Sequence, residues 1–434
     1  GYMLKFAEAK VLIVPSVFRV HDHAAMARSL LPELPVLRQL IVVGEPGSDG
    51  FERVLLSDAS SPAIAATDSP LRPDDVALLM FSSGTTGSPK GVLHTSNTLL
   101  SSMVATIEDL QLEAQDVVLA FSPYGHLTGY ALLLMMPLMR GNTIVSMDVW
   151  DPAKALELAC QERVSYTAGA TAFLNDLVVA AEGGLPPAPA FRIFICGGAP
   201  IPPVLIERAD RTLKMMVCSI WGMTECAVGS ITRLDRVKDL SAKADGCAVR
   251  GNELKVEDEA GQIVPQGTTG RLLMRGSSQF VGYLKRPELS GLDSEGWFDT
   301  GDLAYVLNEE GYIRISGRSK DIIIRGGENI PVVEVEALLL RHPAVAAAAV
   351  VGYPDERLGE RACAFIVTKP GQSFDMNELR QYMEASKTAK QFWPERLELC
   401  DELPRTASGK IQKFKLRAHV AERVGVVGTT LGAR

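Results

Sequence analysis

Between Lys10 and Trp221 the chain alternates short apolar runs, at positions 11–14, 39–43, 76–81, 117–121, 143–147, 192–196 and 215–220, with segments of helical period. Apolar runs of this length suit strands buried on both faces, and intervening helices supply the crossovers that parallel neighbours require. The pattern predicts an α/β protein whose large N-terminal domain is a parallel sheet flanked by helices. Ser96 is placed to cap a helix carrying Leu99, Leu100, Met103 and Ile107, and Asp151-Pro152 to open another through Leu156 and Ala159. Ligands in such folds bind beyond the carboxyl ends of the strands.

After Gly229 the texture changes. Short alternating strands with glycine turns, at 253–256, 270–274 and 312–315, predict a β-rich subdomain over about 230–319. A second boundary is expected at 317–320. Beyond it come a helix at 333–340, strands at 345–351 and 363–367, a helix at 376–384 and a strand at 396–399, the content of a small α+β domain. The expected organisation is therefore a core over 1–319 and a small α+β domain over 320–434.

With 434 residues and 47% apolar content the chain can bury a large core. Its net charge of −8, with no lysine and arginine cluster interleaved with aromatics, argues against a nucleic-acid partner. The seven cysteines lie apart without a CxxC pair, several within apolar runs, which fits buried free thiols and a cytoplasmic location. The most apolar patch, 131–139, is far shorter than a transmembrane span, and the N-terminus lacks the order of a signal peptide.

Ser82-Ser83-Gly84-Thr85-Thr86-Gly87-Ser88-Pro89-Lys90-Gly91 follows one of the apolar runs directly. By itself such a cluster is ordinary loop chemistry. Behind a strand, its hydroxyls and unobstructed backbone N–H groups can converge on an anion, with Lys90 adding positive charge. It lacks the closing Gly-Lys-Ser/Thr of a Walker loop. Its order resembles instead the phosphate loop of the adenylate-forming superfamily, which includes acyl-CoA synthetases, luciferases and peptide-synthetase adenylation domains.

Further tracts extend that resemblance from Phe81 to Lys410. Trp221-Gly222-Met223-Thr224-Glu225 is similar to the family's aromatic-Gly-x-Thr-Glu segment, which implies that the aromatic lines the adenine and acyl region, Thr224 contacts the α-phosphate and Glu225 holds Mg²⁺. Gly198-Ala199-Pro200 resembles the adenine-contacting segment, and Asp302 the ribose-binding aspartate. Arg318 offers a rigid guanidinium fork to phosphate or ribose oxygens. In Pro404-Arg405-Thr406-Ala407-Ser408-Gly409-Lys410, the resemblance makes Lys410 the catalytic lysine that bridges carboxylate and α-phosphate. His126 matches the histidine beside the acyl-adenylate, Lys320 the hinge, and Arg325-Gly326 a segment that helps to bind CoA.

The resemblance implies an ATP-dependent acid–CoA ligase working through an acyl-adenylate, with ATP, Mg²⁺, CoA and a small carboxylic acid as its partners. Small residues at Ala168, Gly169, Ala170 and Gly229 are expected to leave room for a medium-chain, alicyclic or aromatic acid. An adenylation domain loading an amino acid onto a carrier protein is the alternative, although tract 121–130 has no acidic residue to hold an ammonium. Positions 2–15 resemble the middle of the family's first domain, so its opening portion is expected to be missing. A non-catalytic nucleotide-binding fragment thus stays open.

Overall fold

The computed structural model describes residues 1–56, 71–82, 89–326 and 328–424. The chain forms two compact units, one of Gly1–Ser96 with Gly282–Leu289, the other of Asn97–Val281 with Ser290–Arg434.

In the first unit, strands Val11–Pro15 and Gln39–Val43 pair in parallel, with helix His23–Leu30 in the crossover between them. Asp22 caps this helix by accepting the Ala25 N–H at 2.8 Å. Strand Val76–Ser82 departs from the expected parallel arrangement. It pairs antiparallel with Lys90–Thr95, Ser82 opposite Lys90, and Gly282–Tyr283 completes a three-stranded sheet. Positions 83–89 are too few for a parallel crossover, which takes a dozen residues or more, and only a hairpin closes over that distance.

The second unit contains a seven-stranded sheet. Val117–Ala120, Thr143–Ser146, Tyr166–Gly169, Ile193–Gly197 and Met216–Trp221 form its parallel part, and Ser230–Ile231 and Cys247–Ala248 extend it antiparallel. Helix Pro152–Gln161 starts where Asp151 accepts the N–H groups of Ala153 and Lys154, with proline in the first turn. Helices Thr171–Glu182 and Pro203–Leu213 follow, and their apolar stripes (Leu174, Leu177 and Val178; Leu205, Ala209 and Leu213) join Leu119, Phe194, Cys196 and Val217 of the strands in one core. Tyr166–Gly169 is a strand that the apolar pattern does not reveal, because Tyr-Thr-Ala-Gly contains no aliphatic run.

A four-stranded antiparallel sheet follows, built from Asn252–Glu257, Gly270–Gly276, Phe298–Val306 and Ile313–Arg318. The last sheet is made of Ile323–Arg325, Glu328–Ile330, Val345–Asp355, Gly359–Thr368 and Arg396–Leu399. Its strands use both faces. Ala348, Val350, Ala362, Ala364 and Ile366 meet helices Val332–Leu339 and Met376–Ala385, whereas Ala349, Val351, Cys363 and Phe365 meet helix Lys413–Arg423. The period of two along each strand produces this division.

All seven cysteines are free; Cys196, Cys218, Cys226, Cys247 and Cys363 are buried, Cys400 is partly buried and Cys160 exposed. Burial pushes the thiols of Cys196, Cys218, Cys226 and Cys363 up to about 12. No helix among the described residues is long and apolar enough to cross a membrane.

Leu177 is fully buried between helix and sheet, while Val179 on the same helix is half exposed. Leu177→Ala should cost about 2–5 kcal/mol, as truncation in a packed core does, and Val179→Ala less than about 0.5 kcal/mol. Urea unfolding of the two variants beside the parent measures the contrast.

Candidate active site

Three connections leave the carboxyl ends of parallel strands, and each carries residues singled out in the sequence. After Val117–Ala120 comes His126, whose Nδ1 accepts the Thr128 N–H at 3.3 Å. Nδ1 being an acceptor, the proton of the neutral ring sits on Nε2. Burial, and then the positive charge of Lys410, hold the His126 pKa below its usual value, so the imidazole is neutral at pH 7. After Ile193–Gly197 come Gly198, Ala199 and Pro200. Thr171 Oγ1 donates to the Pro200 carbonyl at 3.1 Å, and a Cβ on Gly198 would find no atom within 4 Å, so this backbone faces open space.

After Met216–Trp221 come Gly222, Met223, Thr224 and Glu225, and here Trp221 and Glu225 are both buried. The Glu225 carbonyl accepts the Phe280 N–H at 2.8 Å, which ties this turn to the following segment.

Asp302 and Arg318 come from the four-stranded sheet. Strand register puts them opposite one another, and Arg318 Nε donates to Asp302 Oδ1 at 3.1 Å. The other carboxylate oxygen, Oδ2, accepts the indole N–H of Trp221 at 2.8 Å. This buried carboxylate therefore joins the parallel sheet to the antiparallel one.

Lys410 reaches the same neighbourhood from the C-terminal end of the chain. Its turn is closed by Gly409 N–H to Thr406 O at 2.9 Å, by Thr406 N–H to Lys410 O at 2.8 Å and by Lys410 N–H to Thr406 Oγ1 at 3.1 Å. Gly409 has φ +84°, and a Cβ there would stand 3.2 Å from Phe173 and 3.4 Å from Ala170. Glycine thus serves both the left-handed backbone and the close seat against the start of helix Thr171–Glu182. Burial, with Arg318 adding repulsion against the attraction of Asp302 and Asp321, pushes the ammonium pKa down to about 8. Sequence reasoning singled out Lys410 but not Thr406, which shapes the turn; a threonine four residues ahead of the lysine was the available signal.

The structure corrects the expected room for the substrate. A Cβ on Gly169 would lie 2.9 Å from the Phe121 ring, and one on Gly229 would lie 2.2 Å from Cζ3 of Trp221. Ala168 is wholly buried. The space beside the two glycines is filled by aromatic rings, and Phe121, Trp150 and Phe173 pack in tilted and edge-to-face contacts with centroids 4.3–5.0 Å apart. Trp150 is fixed by its indole N–H donating to Asp176 at 2.9 Å.

Ser82 and Lys90 belong to the first unit, on the two strands of its hairpin, with the Lys90 ammonium 4.9 Å from the centre of the Tyr283 ring. The strand that leads into this tract therefore belongs to an antiparallel hairpin and not to the parallel sheet expected from the sequence. Ser83, Gly84, Thr85, Thr86 and Gly87 lie outside the described residues. Lys320 is exposed in the turn Ser319–Asp321. Arg325 donates to Glu395 at 2.6 Å, and Gly326 follows it at φ +61°.

Residues 1–284 match the family described as AMP-binding enzyme, and residues 334–410 match the AMP-binding enzyme C-terminal domain. The chain belongs to the AMP-binding enzyme family. This AMP-binding enzyme is 38% identical over 430 residues to the medium-chain fatty-acid–CoA ligase of Escherichia coli (strain K12), covering 98% of the chain and 75% of the relative. It is 34% identical to a feruloyl-CoA synthase of Amycolatopsis sp., covering 94% of the chain and 84% of that protein. Among solved structures, the anthranilate CoA ligase AuaEII in complex with anthranoyl-AMP superposes with a TM-score of 0.86 at 27% identity, covering 98% of the chain and 80% of that structure. ATP-bound MatB from Rhodopseudomonas palustris gives 0.84 at 26% identity, with coverage of 98% and 81%.

The depressed Lys410 pKa has a consequence in pH. The ammonium is the charged form, so its proton is lost as pH rises through about 8 in the free enzyme. If that charge serves acid activation, kcat/KM for ATP-dependent AMP formation should hold below pH 8 and decline above it, since this parameter reports free-enzyme ionisations. Lys410→Arg keeps its charge across the range and should lose that decline whatever its absolute rate. Initial rates at subsaturating ATP between pH 6.5 and 9.5 measure it.

Proposed function

We propose that this AMP-forming acid–CoA ligase activates a medium-chain fatty, alicyclic or aromatic carboxylic acid as its acyl-adenylate and passes the acyl group to CoA. The observation that carries the reading is the convergence of Lys410, Arg318, Asp302 and His126, drawn from separate elements, upon the carboxyl edge of a parallel sheet. Relatives named for a fatty and for an aromatic acid agree with this breadth.

In the first half-reaction a carboxylate oxygen of the acid attacks the α-phosphorus of ATP, the bond to pyrophosphate breaks, and its electron pair leaves with the pyrophosphate. Negative charge is drawn together as this happens. The Lys410 ammonium is assigned to neutralise it between the carboxylate and the α-phosphate, with Thr224 donating to the phosphate and Lys90 and the hydroxyl-rich tract 82–88 holding the remaining phosphates. Gly198, Ala199, Pro200, Gly222 and Met223 are assigned to the adenine side, and Asp302 with Arg318 to the ribose.

Magnesium fits the donor set. Glu225, next in sequence to Thr224, is a buried carboxylate, and no group of three or more acidic, histidine or cysteine side chains able to hold a metal occurs among the described residues. One carboxylate completed by substrate phosphates is a usual way to hold this cation. When bound it supplies charge neutralisation on the phosphates.

In the second half-reaction the CoA thiolate attacks the acyl carbonyl carbon and AMP departs. His126, neutral beside the reacting region, is assigned to the entry of that thiol. A lysine in place for adenylation occupies room that the thiol needs, so the lid over 320–434 is assigned a rotation against the core over 1–319. Lys320 would be the hinge, and Arg325 and Gly326 would enter the site on rotation.

Lys410→Ala should lower pyrophosphate-dependent exchange and AMP formation by on the order of 10²–10³, the usual effect of removing one preorganised charge donor. Thiolysis of supplied acyl-adenylate should survive; equal loss of both steps would remove the assigned role. Lys320→Pro, which fixes φ, should do the reverse, slowing thioester formation while sparing adenylation. A panel of fatty, alicyclic and aromatic acids assayed for AMP with and without CoA tests the substrate class, and dependence on a free amino group would overturn it.

A further inference from the structure

Asp302 is a buried carboxylate with a protein donor on each oxygen, Arg318 Nε on Oδ1 at 3.1 Å and Trp221 Nε1 on Oδ2 at 2.8 Å. A carboxylate has about four acceptor positions, two on each oxygen. The two donors therefore leave one on either side, which is the pattern that a vicinal diol can fill. The donors differ in firmness. Arg318 is half exposed and close to the turn Ser319–Asp321, while Trp221 is buried and its ring is seated where a side chain on Gly229 would have to stand. The Gly229 N–H donates to the Trp221 carbonyl at 3.0 Å, so one short turn fixes both the ring and the gap it fills.

We propose that Trp221 is a positioning residue for ribose recognition: its indole N–H, clamped over Gly229, sets the orientation of Asp302 so that the carboxylate accepts from both hydroxyls of the nucleotide sugar. This inference rests on the reading of Asp302 as the ribose-binding group. It assigns the nitrogen of the indole a task that phenylalanine, with a similar ring, cannot perform. It also makes Gly229 a requirement of nucleotide selectivity, although Gly229 itself offers no group to a nucleotide.

The test compares binding of ATP, 2′-deoxy-ATP and 3′-deoxy-ATP by calorimetry to the parent enzyme and to Trp221→Phe, Gly229→Ala and Asp302→Asn. In Trp221→Phe, ATP should weaken about tenfold, the scale of one hydrogen bond to a charged group, while the deoxynucleotides weaken less, so that discrimination against at least one of them shrinks. Gly229→Ala retains the N–H but drives a methyl group into the ring, and should shrink the same ratio; it carries the test alone should Trp221→Phe not fold. Trp221→Phe combined with Asp302→Asn should be less than additive. Parent-like ratios in a folded Trp221→Phe, or equal weakening of all three nucleotides, would overturn the role of Trp221. Parent-like ratios in Asp302→Asn would instead overturn the ribose reading beneath it.

Discussion

A carboxylate can be removed from water only if donors replace the solvent, and Asp302 draws those donors from two different sheets. Trp221 ends a strand of the parallel sheet, and Arg318 ends a strand of the antiparallel one. The pairing thus fixes the separation of the two layers at the site. Further groups are placed with respect to this link: Glu225 four residues beyond Trp221, the turn Ser319–Asp321 directly after Arg318, and the Lys410 ammonium within the field of both Asp302 and Arg318. Losing either donor would leave part of a buried charge uncompensated, at a cost greater than the worth of the bond itself.

Lys410 shows the same economy of burial in the opposite sign. An ammonium seated beside a guanidinium and withdrawn from water is poised to gain from an arriving polyanion, since the unfavourable field of the empty site becomes favourable once phosphate oxygens are near. Gly409 makes that seat available. With no side chain to press on Phe173 and Ala170, the turn can approach helix Thr171–Glu182 closely.

Much of the architecture was legible because buried parallel strands write themselves as apolar runs. The strands at 39–43, 117–120 and 193–197 stand almost where the pattern put them. Strands that carry chemistry were harder to see: Phe298–Val306 contains Asp299, Gly301 and Asp302, and its polar and turn-like residues hide a strand whose alternate positions are buried. The hairpin Val76–Ser82 with Lys90–Thr95 was misplaced because an apolar run does not tell which neighbour it will pair with; connector length did. At the site, motifs named the residues, but motifs do not report ring packing. The filled spaces beside Gly169 and Gly229 follow from rotamers of Phe121 and Trp221, and no one-dimensional pattern encodes those.

An enzyme that handles a thiol substrate meets mixed disulfides as a standing chemical hazard. Here the sulfur atoms at positions 196, 218, 226 and 363 sit in apolar surroundings that keep them almost wholly protonated at neutral pH. Exchange proceeds through thiolate anions, so these side chains are withdrawn from it both by access and by acidity. The same interior that stabilises the sheets thereby removes these four sulfur atoms from exchange with a thiol substrate.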